Sequence, residues 1–254
     1  MKLIGSLALA IIALYLLAGI WIYLMQQRLI YYPTPLIPHS YQTLQINTGE
    51  ATLNVIVINP GKSQGLLYFG GNGESVVLNA DSFSRFFSSH TTYLVNYRGY
   101  GGSSGKPNEV ALYADALAIY DQLRDQHSSI SVVGRSLGSG VATLLASKRV
   151  IKKLVLITPY DSIVALAKKS FPWFPVALFM SERYDSLGRV SSIKAETLML
   201  LAEHDLIVPR EHSLTLAHAF PPTQLRVEEI KGSDHNSLSL SPSYYDLLQQ
   251  FLEE

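Results

Sequence analysis

Gly134-Arg135-Ser136-Leu137-Gly138 lies between an apolar, largely β-branched run at 130–133 and a small-residue, apolar run at 141–147 that suits a helix. The order reads as buried strand, tight turn, helix. A serine on such a turn has a strained backbone and an exposed hydroxyl, and glycines two positions to either side let strand and helix approach closely. Ser136 is therefore a candidate nucleophile. The strand-turn-helix setting carries this reading more than the bare Gly-x-Ser-x-Gly pattern does.

Outward from that turn, strand-like runs recur at 42–46, 53–58, 65–69, 91–97, 130–133, 154–158, 197–202 and 225–230. Helix-like segments at 74–88, 110–126, 136–149, 210–220 and 244–253 fall between or after the later runs. This alternation predicts an α/β chain built on an eight-stranded, mostly parallel, doubly wound sheet. The first two runs have no helix between them and read as an antiparallel hairpin. One long interruption, about 162–194, reads as a small cap within a domain spanning 41–254. Its Phe171-Pro172-Trp173-Phe174-Pro175, followed by apolar 176–180, either lines a substrate channel or packs as a surface helix on the sheet edge. Trp173 and Phe174 are candidate substrate contacts there, with Gly71 and Tyr160 beyond strand ends.

The N-terminus differs in kind. Residues 3–25 carry no charge and are overwhelmingly aliphatic or aromatic. As a helix they give roughly 34 Å, enough for a hydrocarbon core of about 30 Å. Trp21, Tyr23, Tyr31 and Tyr32 gather at the C-terminal side as an interfacial belt would. A cleavable signal peptide would have a shorter apolar region and a small-x-small site, which is not evident before Gln26. The expectation is an anchor at 1–27 and a proline-punctuated tether at 28–40. Lys2 and the terminal amine on one flank, against Arg28 on the other, favour a cytoplasmic N-terminus and a domain on the outer side.

The rest of the composition excludes more than it assigns. A net charge of +0, with no basic stripe interleaved with aromatics, argues against nucleic acid as a partner. The lack of cysteine rules out disulfides, thiol catalysis and thiolate metal sites without fixing a compartment. Gly99-Tyr100-Gly101-Gly102-Ser103-Ser104-Gly105-Lys106-Pro107 superficially resembles a phosphate loop. It has Tyr100 where the first glycine belongs and Pro107 where a hydroxyl would hold magnesium. No His-Glu-x-x-His is present, so neither a metal nor a cofactor is expected. The oligomeric state is left open.

A serine hydroxyl needs a histidine to take its proton and a carboxylate to orient that histidine. His235 follows the last strand-like run, and Asp205 follows the one before it. Both loops can deliver side chains to the carboxyl edge of a doubly wound sheet. The order Ser136, Asp205, His235 is the one expected of a nucleophile elbow on such a sheet. Asp161, Asp234, Glu203 and His204 are weaker competitors for the middle role. Donors for an oxyanion are sought in Phe69-Gly70-Gly71-Asn72-Gly73-Glu74-Ser75, with the N–H of Asn72 as the first donor and that of Leu137 as the second.

With these segments in hand, the chain after residue 40 resembles the α/β-hydrolase superfamily. The run Asn96-Tyr97-Arg98-Gly99-Tyr100-Gly101 is similar to the abhydrolase-domain group that joins one N-terminal helix to a small-capped domain. Relatives there include protein depalmitoylases and prolyl-oligopeptidase-like domains. The resemblance implies acyl hydrolysis without fixing the acyl acceptor; the expectation is a membrane-anchored serine hydrolase that cleaves an ester or thioester through an acyl-enzyme, its substrate a small acyl ester or, from the membrane proximity and the apolar insertion, a lipid-like one. A peptidase with the same triad and a catalytically silent binding module are the alternatives. One departure stands out: many relatives begin the oxyanion turn with His-Gly, whereas this chain has Gly70-Gly71.

Overall fold

The structure, a computed structural model, describes residues 2–254. Met1, with which the expected anchor begins, lies outside the described residues. Eight strands form one sheet in the order β1-β2-β4-β3-β5-β6-β7-β8. They are β1 (Gln42–Asn47), β2 (Thr52–Ile58), β3 (Gln64–Phe69), β4 (His90–Val95), β5 (Ser129–Arg135), β6 (Lys153–Ile157), β7 (Glu196–Ala202) and β8 (Leu225–Ile230). Only β2 runs against its neighbours; all pairings from β4 through β8 are parallel. Every residue of β4 and β6 is buried, as expected of strands covered on both faces. β1, at the edge, exposes most of its side chains.

The two faces are covered by different helices. On one, α3 (Glu109–Leu123), α4 (Leu137–Lys148) and α7 (Arg210–His218) contribute Leu112, Ile119, Val141, Leu145 and Leu216 to the larger apolar core. On the other, α2 (Ala80–Phe86) and α8 (Pro242–Glu253) contribute Phe83, Leu248 and Phe251. Strand β3 connects to β4 on one side while β5 lies on the other. A crevice therefore opens at the carboxyl ends between them, where ligands bind in such sheets.

Between β6 and β7 the chain forms α5 (Ile163–Ser170) and α6 (Val176–Phe179). Val164, Val176 and Met180 make a small separate core with Ile30 packed against it. Ile30 ends α1 (Lys2–Ile30), whose stretch from residue 4 is long and apolar enough to cross a membrane, with a mean hydropathy of 2.5. The exit of α1 is built into the domain. Gln26 Oε1 accepts from the N–H groups of Ser181 (2.7 Å) and Glu182 (3.3 Å). The buried Tyr31 hydroxyl donates to Glu182 and lies 2.7 Å from the Tyr184 hydroxyl. Burial, then the Glu182 carboxylate, pushes the Tyr31 phenol far above its ordinary range and keeps it a neutral donor.

Candidate active site

Ser136 follows β5 with φ 49° and ψ −116°, a backbone state that costs a non-glycine residue on the order of 1–3 kcal/mol. Both flanking glycines are needed for packing. A Cβ on Gly138 would sit 2.0 Å from the Phe69 carbonyl oxygen, and one on Gly134 would sit 2.4 Å from the Gly138 carbonyl oxygen. The Ser136 N–H donates to the Ile157 carbonyl at 2.9 Å, which pins the turn to β6. The hydroxyl points into a cavity of about 410 Å³ lined by Tyr32, Gly71, Asn72, Glu74, Ile207 and His235, among others.

Register brings the remaining loops to this point. Phe69 pairs with Gly134, so the turn after β3 lies against the turn after β5, and a Cβ on Gly71 would come within 3.6 Å of that of Ser136. Ala202 pairs with Ile230, which aligns the loops carrying Asp205 and His235. Those loops are laced by His204 N–H to Ser233 carbonyl (2.9 Å) and Gly232 N–H to Glu203 (2.8 Å). His235 Nε2 lies 2.9 Å from Ser136 Oγ, and His235 Nδ1 lies 2.8 Å from Asp205 Oδ2. The Asp205 and His235 side chains are 5% and 8% exposed. Asp205 Oδ1 also accepts from the N–H groups of Ile207 (2.9 Å) and Val208 (2.7 Å), so the carboxylate is held from behind while facing the imidazole. An Nδ1–H donor toward Asp205 leaves Nε2 with the lone pair that a serine proton needs.

The competing acids are engaged elsewhere. Asp161 pairs with buried His212 at 2.9 Å. Asp234 accepts from the N–H groups of Asn236 and Ser237 inside its own turn. Glu203 accepts from Gly232, and Lys231 reaches it at 3.4 Å; His204 is exposed. Among the described residues no group of three or more His, Cys, Asp or Glu could hold a metal ion.

Of the candidate substrate contacts, only Gly71 lines the cavity. Tyr160 is 2% exposed beneath α4, and its hydroxyl donates to the Leu137 carbonyl at 3.2 Å. Trp173 and Phe174 lie at α1. Phe174 packs on Tyr15 with ring centroids 4.9 Å apart, and Trp173 is 92% exposed. Composition had marked this insertion as apolar but held no period from which to read its facing.

Three residues at the site escaped the sequence reading. Glu74 is a half-buried hub: its Oε1 accepts from the Tyr68 hydroxyl and the Asn79 amide, each at 2.6 Å, and its Oε2 from the Gly71 N–H at 2.6 Å. Arg135, inside the pentapeptide, pairs with Glu74 at 3.4 Å and donates to the His235 carbonyl at 3.2 Å. Burial alone would lower the Arg135 pKa, but the Tyr68 and Glu74 oxygens beside it hold the guanidinium firmly charged. Tyr32 supplies the cavity wall nearest α1. A charged residue at the variable position before Ser136 was the available sign for Arg135. Tyr32 has a place in the sequence only as part of the aromatic belt after the apolar run.

The Asn72 side chain ties three segments together. Its Oδ1 accepts from the Tyr32 N–H (2.9 Å) and the Tyr100 hydroxyl (2.8 Å), and its Nδ2 donates to the Ile30 carbonyl (2.5 Å). The backbone N–H of Leu137 belongs to the first turn of α4, where amides lack intrahelical partners and the helix dipole favours negative charge.

Strand order, elbow and crevice together define an α/β hydrolase. The profile of the alpha/beta hydrolase family matches residues 69–222, and the chain belongs to that family. It is 30% identical to an uncharacterized protein of Mycobacterium tuberculosis over 92% of this chain and 89% of that one. It is also 30% identical to an uncharacterized membrane protein of Saccharomyces cerevisiae over 82% and 74% of the respective chains. Among solved structures, the Pyrococcus furiosus esterase Pf2001 has the same fold, with a TM-score of 0.68 and 20% identity over 87% of this chain and 98% of that one.

Proposed function

We propose that this protein is a membrane-anchored serine hydrolase that cleaves the ester or thioester bond of a small or lipid-like acyl substrate. The observation that carries this reading is the unbroken relay from Ser136 Oγ through His235 to Asp205, at 2.9 and 2.8 Å. His235 Nε2 takes the hydroxyl proton as Oγ attacks the carbonyl carbon, and Asp205 stabilises the imidazolium that forms. The N–H groups of Asn72 and Leu137 receive the developing oxyanion. His235 then returns the proton to the leaving oxygen or sulfur, and water repeats the sequence on the acyl-enzyme.

Membrane anchoring by α1 rests on its length and hydropathy. Tyr32, two positions beyond the end of α1, lines the cavity, which supports a substrate met at the bilayer surface. The domain is placed on the extracytoplasmic side, which protease accessibility in sealed cells checks.

The test is labelling of the detergent-solubilised protein with a fluorophosphonate probe. Wild type should label, while Ser136→Ala and His235→Ala should not. Unlabelled wild type would turn the site into a binding pocket. A series of p-nitrophenyl esters beside aminoacyl amides then separates esterase from peptidase.

A further inference from the structure

We propose that the apolar tip of the cap, residues 171–179, lies inside the lipid bilayer beside α1; this inference rests on α1 being the membrane anchor. Its exposed surface is what a leaflet would solvate. No charged residue occurs between Lys169 and Glu182, while Trp173, Leu178 and Phe171 are 92%, 80% and 56% exposed. Such a patch in water marks an interaction surface.

The contacts of the tip fix its depth. Phe174 stacks on Phe179 and packs against Tyr15, and the Tyr15 hydroxyl donates to the Trp173 carbonyl at 3.3 Å. Gly19 forms the notch that receives them: a Cβ there would sit 2.9 Å from the Phe179 ring. Tyr15 and Gly19 precede Met25 by about 15 and 9 Å along a helix axis, well within the uncharged run. Close packing over a small residue is a usual helix contact in lipid.

Two further features agree. The Ser181 N–H donates to the Gln26 side chain, so cap and anchor meet polar partners again at the same level. Much of the tip's backbone is also bonded within the tip. The N–H groups of Phe171, Phe174, Val176, Leu178 and Met180 donate to carbonyls within 167–176, and Pro172 and Pro175 have no N–H to satisfy.

The chain has two tryptophans, Trp21 on α1 and Trp173 on the tip, which makes the test direct. Full-length Trp21→Phe and Trp173→Phe variants, each keeping one indole, are reconstituted into phosphatidylcholine vesicles with acyl chains brominated at a shallow position in one set and near mid-chain in another. The proposal expects Trp173 emission to be quenched as strongly as that of Trp21. Quenching of Trp21 with Trp173 unaffected overturns cap insertion and leaves the anchor intact. If neither is quenched, the anchor reading fails and takes this one with it. Trp173 shielded from bromide yet blue-shifted would assign the tip to a protein partner or a second copy, and would also overturn the proposal.

Discussion

The Asn72 side-chain amide donates to the main-chain carbonyl of Ile30 at 2.5 Å, which ties the turn beside Ser136 to the last residue of α1. The same side chain accepts from Tyr32 and Tyr100. The turn after β3 is thus held by the end of α1. For Asn72→Ala we predict that kcat on p-nitrophenyl acetate falls about tenfold, since lost hydrogen bonds of about 1–3 kcal/mol release the turn. A kcat equal to wild type would show that the side chain has no bearing on catalysis.

Asp205→Asn should preserve the fold and remove nearly all activity. The amide oxygen can still accept from the Ile207 and Val208 N–H groups, which turns the NH₂ toward His235 Nδ1. Nδ1 must then accept, the proton moves to Nε2, and Nε2 can no longer receive the serine proton. A loss of about 10⁴-fold in kcat is expected. Turnover within tenfold of wild type would assign the orienting role to another carboxylate.

Gly138→Ala should not yield folded protein. Its new methyl would lie 2.0 Å from the Phe69 oxygen, and the nearest atoms, of Phe69 and Gly70, are all backbone, so no flexible group can yield. Destabilisation of about 3 kcal/mol or more is expected, seen as loss of the soluble or detergent-extractable fraction. A variant melting within a few degrees of wild type would contradict the elbow packing.

Glu74→Gln should lower both stability and turnover. Four donors converge on this carboxylate, and an amide would point its own N–H groups at one pair of them. Arg135 would lose its carboxylate partner while keeping the His235 carbonyl, a change that costs about 1–3 kcal/mol. Comparing melting temperature with the rate for p-nitrophenyl acetate checks it; an unaltered melting temperature would count against the hub.

His90 gives the fold an acid sensitivity. It is 1% exposed, and burial, then the Lys152 charge, lowers its pKa, with Glu253 opposing. Its folded value therefore lies below the unfolded value of about 6.5, so the unfolded chain binds more protons as pH falls. Stability is complete above about pH 6.5 and is lost as pH drops through the folded value. His90→Gln should flatten that decline in melting temperature between about pH 7.5 and about pH 5. An equally steep decline in the variant would place the acid sensitivity in other groups.

Alternation and turn chemistry made much of this architecture readable in advance. The runs expected at 130–133 and 225–230 lie in β5 and β8, and the expected break between β6 and β7 holds α5 and α6. The acid was harder to assign, because Asp161 and Asp205 both follow strand ends. Only tertiary structure sends one to His212 and the other to His235. Trp173 and Phe174, expected as substrate contacts, lie at α1 and outside the cavity for a related reason. Residues 171–175 have neither helical nor strand period, so hydrophobicity there announces burial without naming the surface that provides it. Glu74 and Arg135 join segments 61 residues apart, and no local pattern reports such a pairing.

The stitching of Gln26 and Tyr31 into the catalytic body bears on how this protein can be cut. A version starting at Tyr32 would leave the buried Glu182 carboxylate without its phenol and the Ser181 amide without its acceptor. One that starts a turn before Gln26 keeps both. The final stretch of the helix is thus a plug belonging to the globular half.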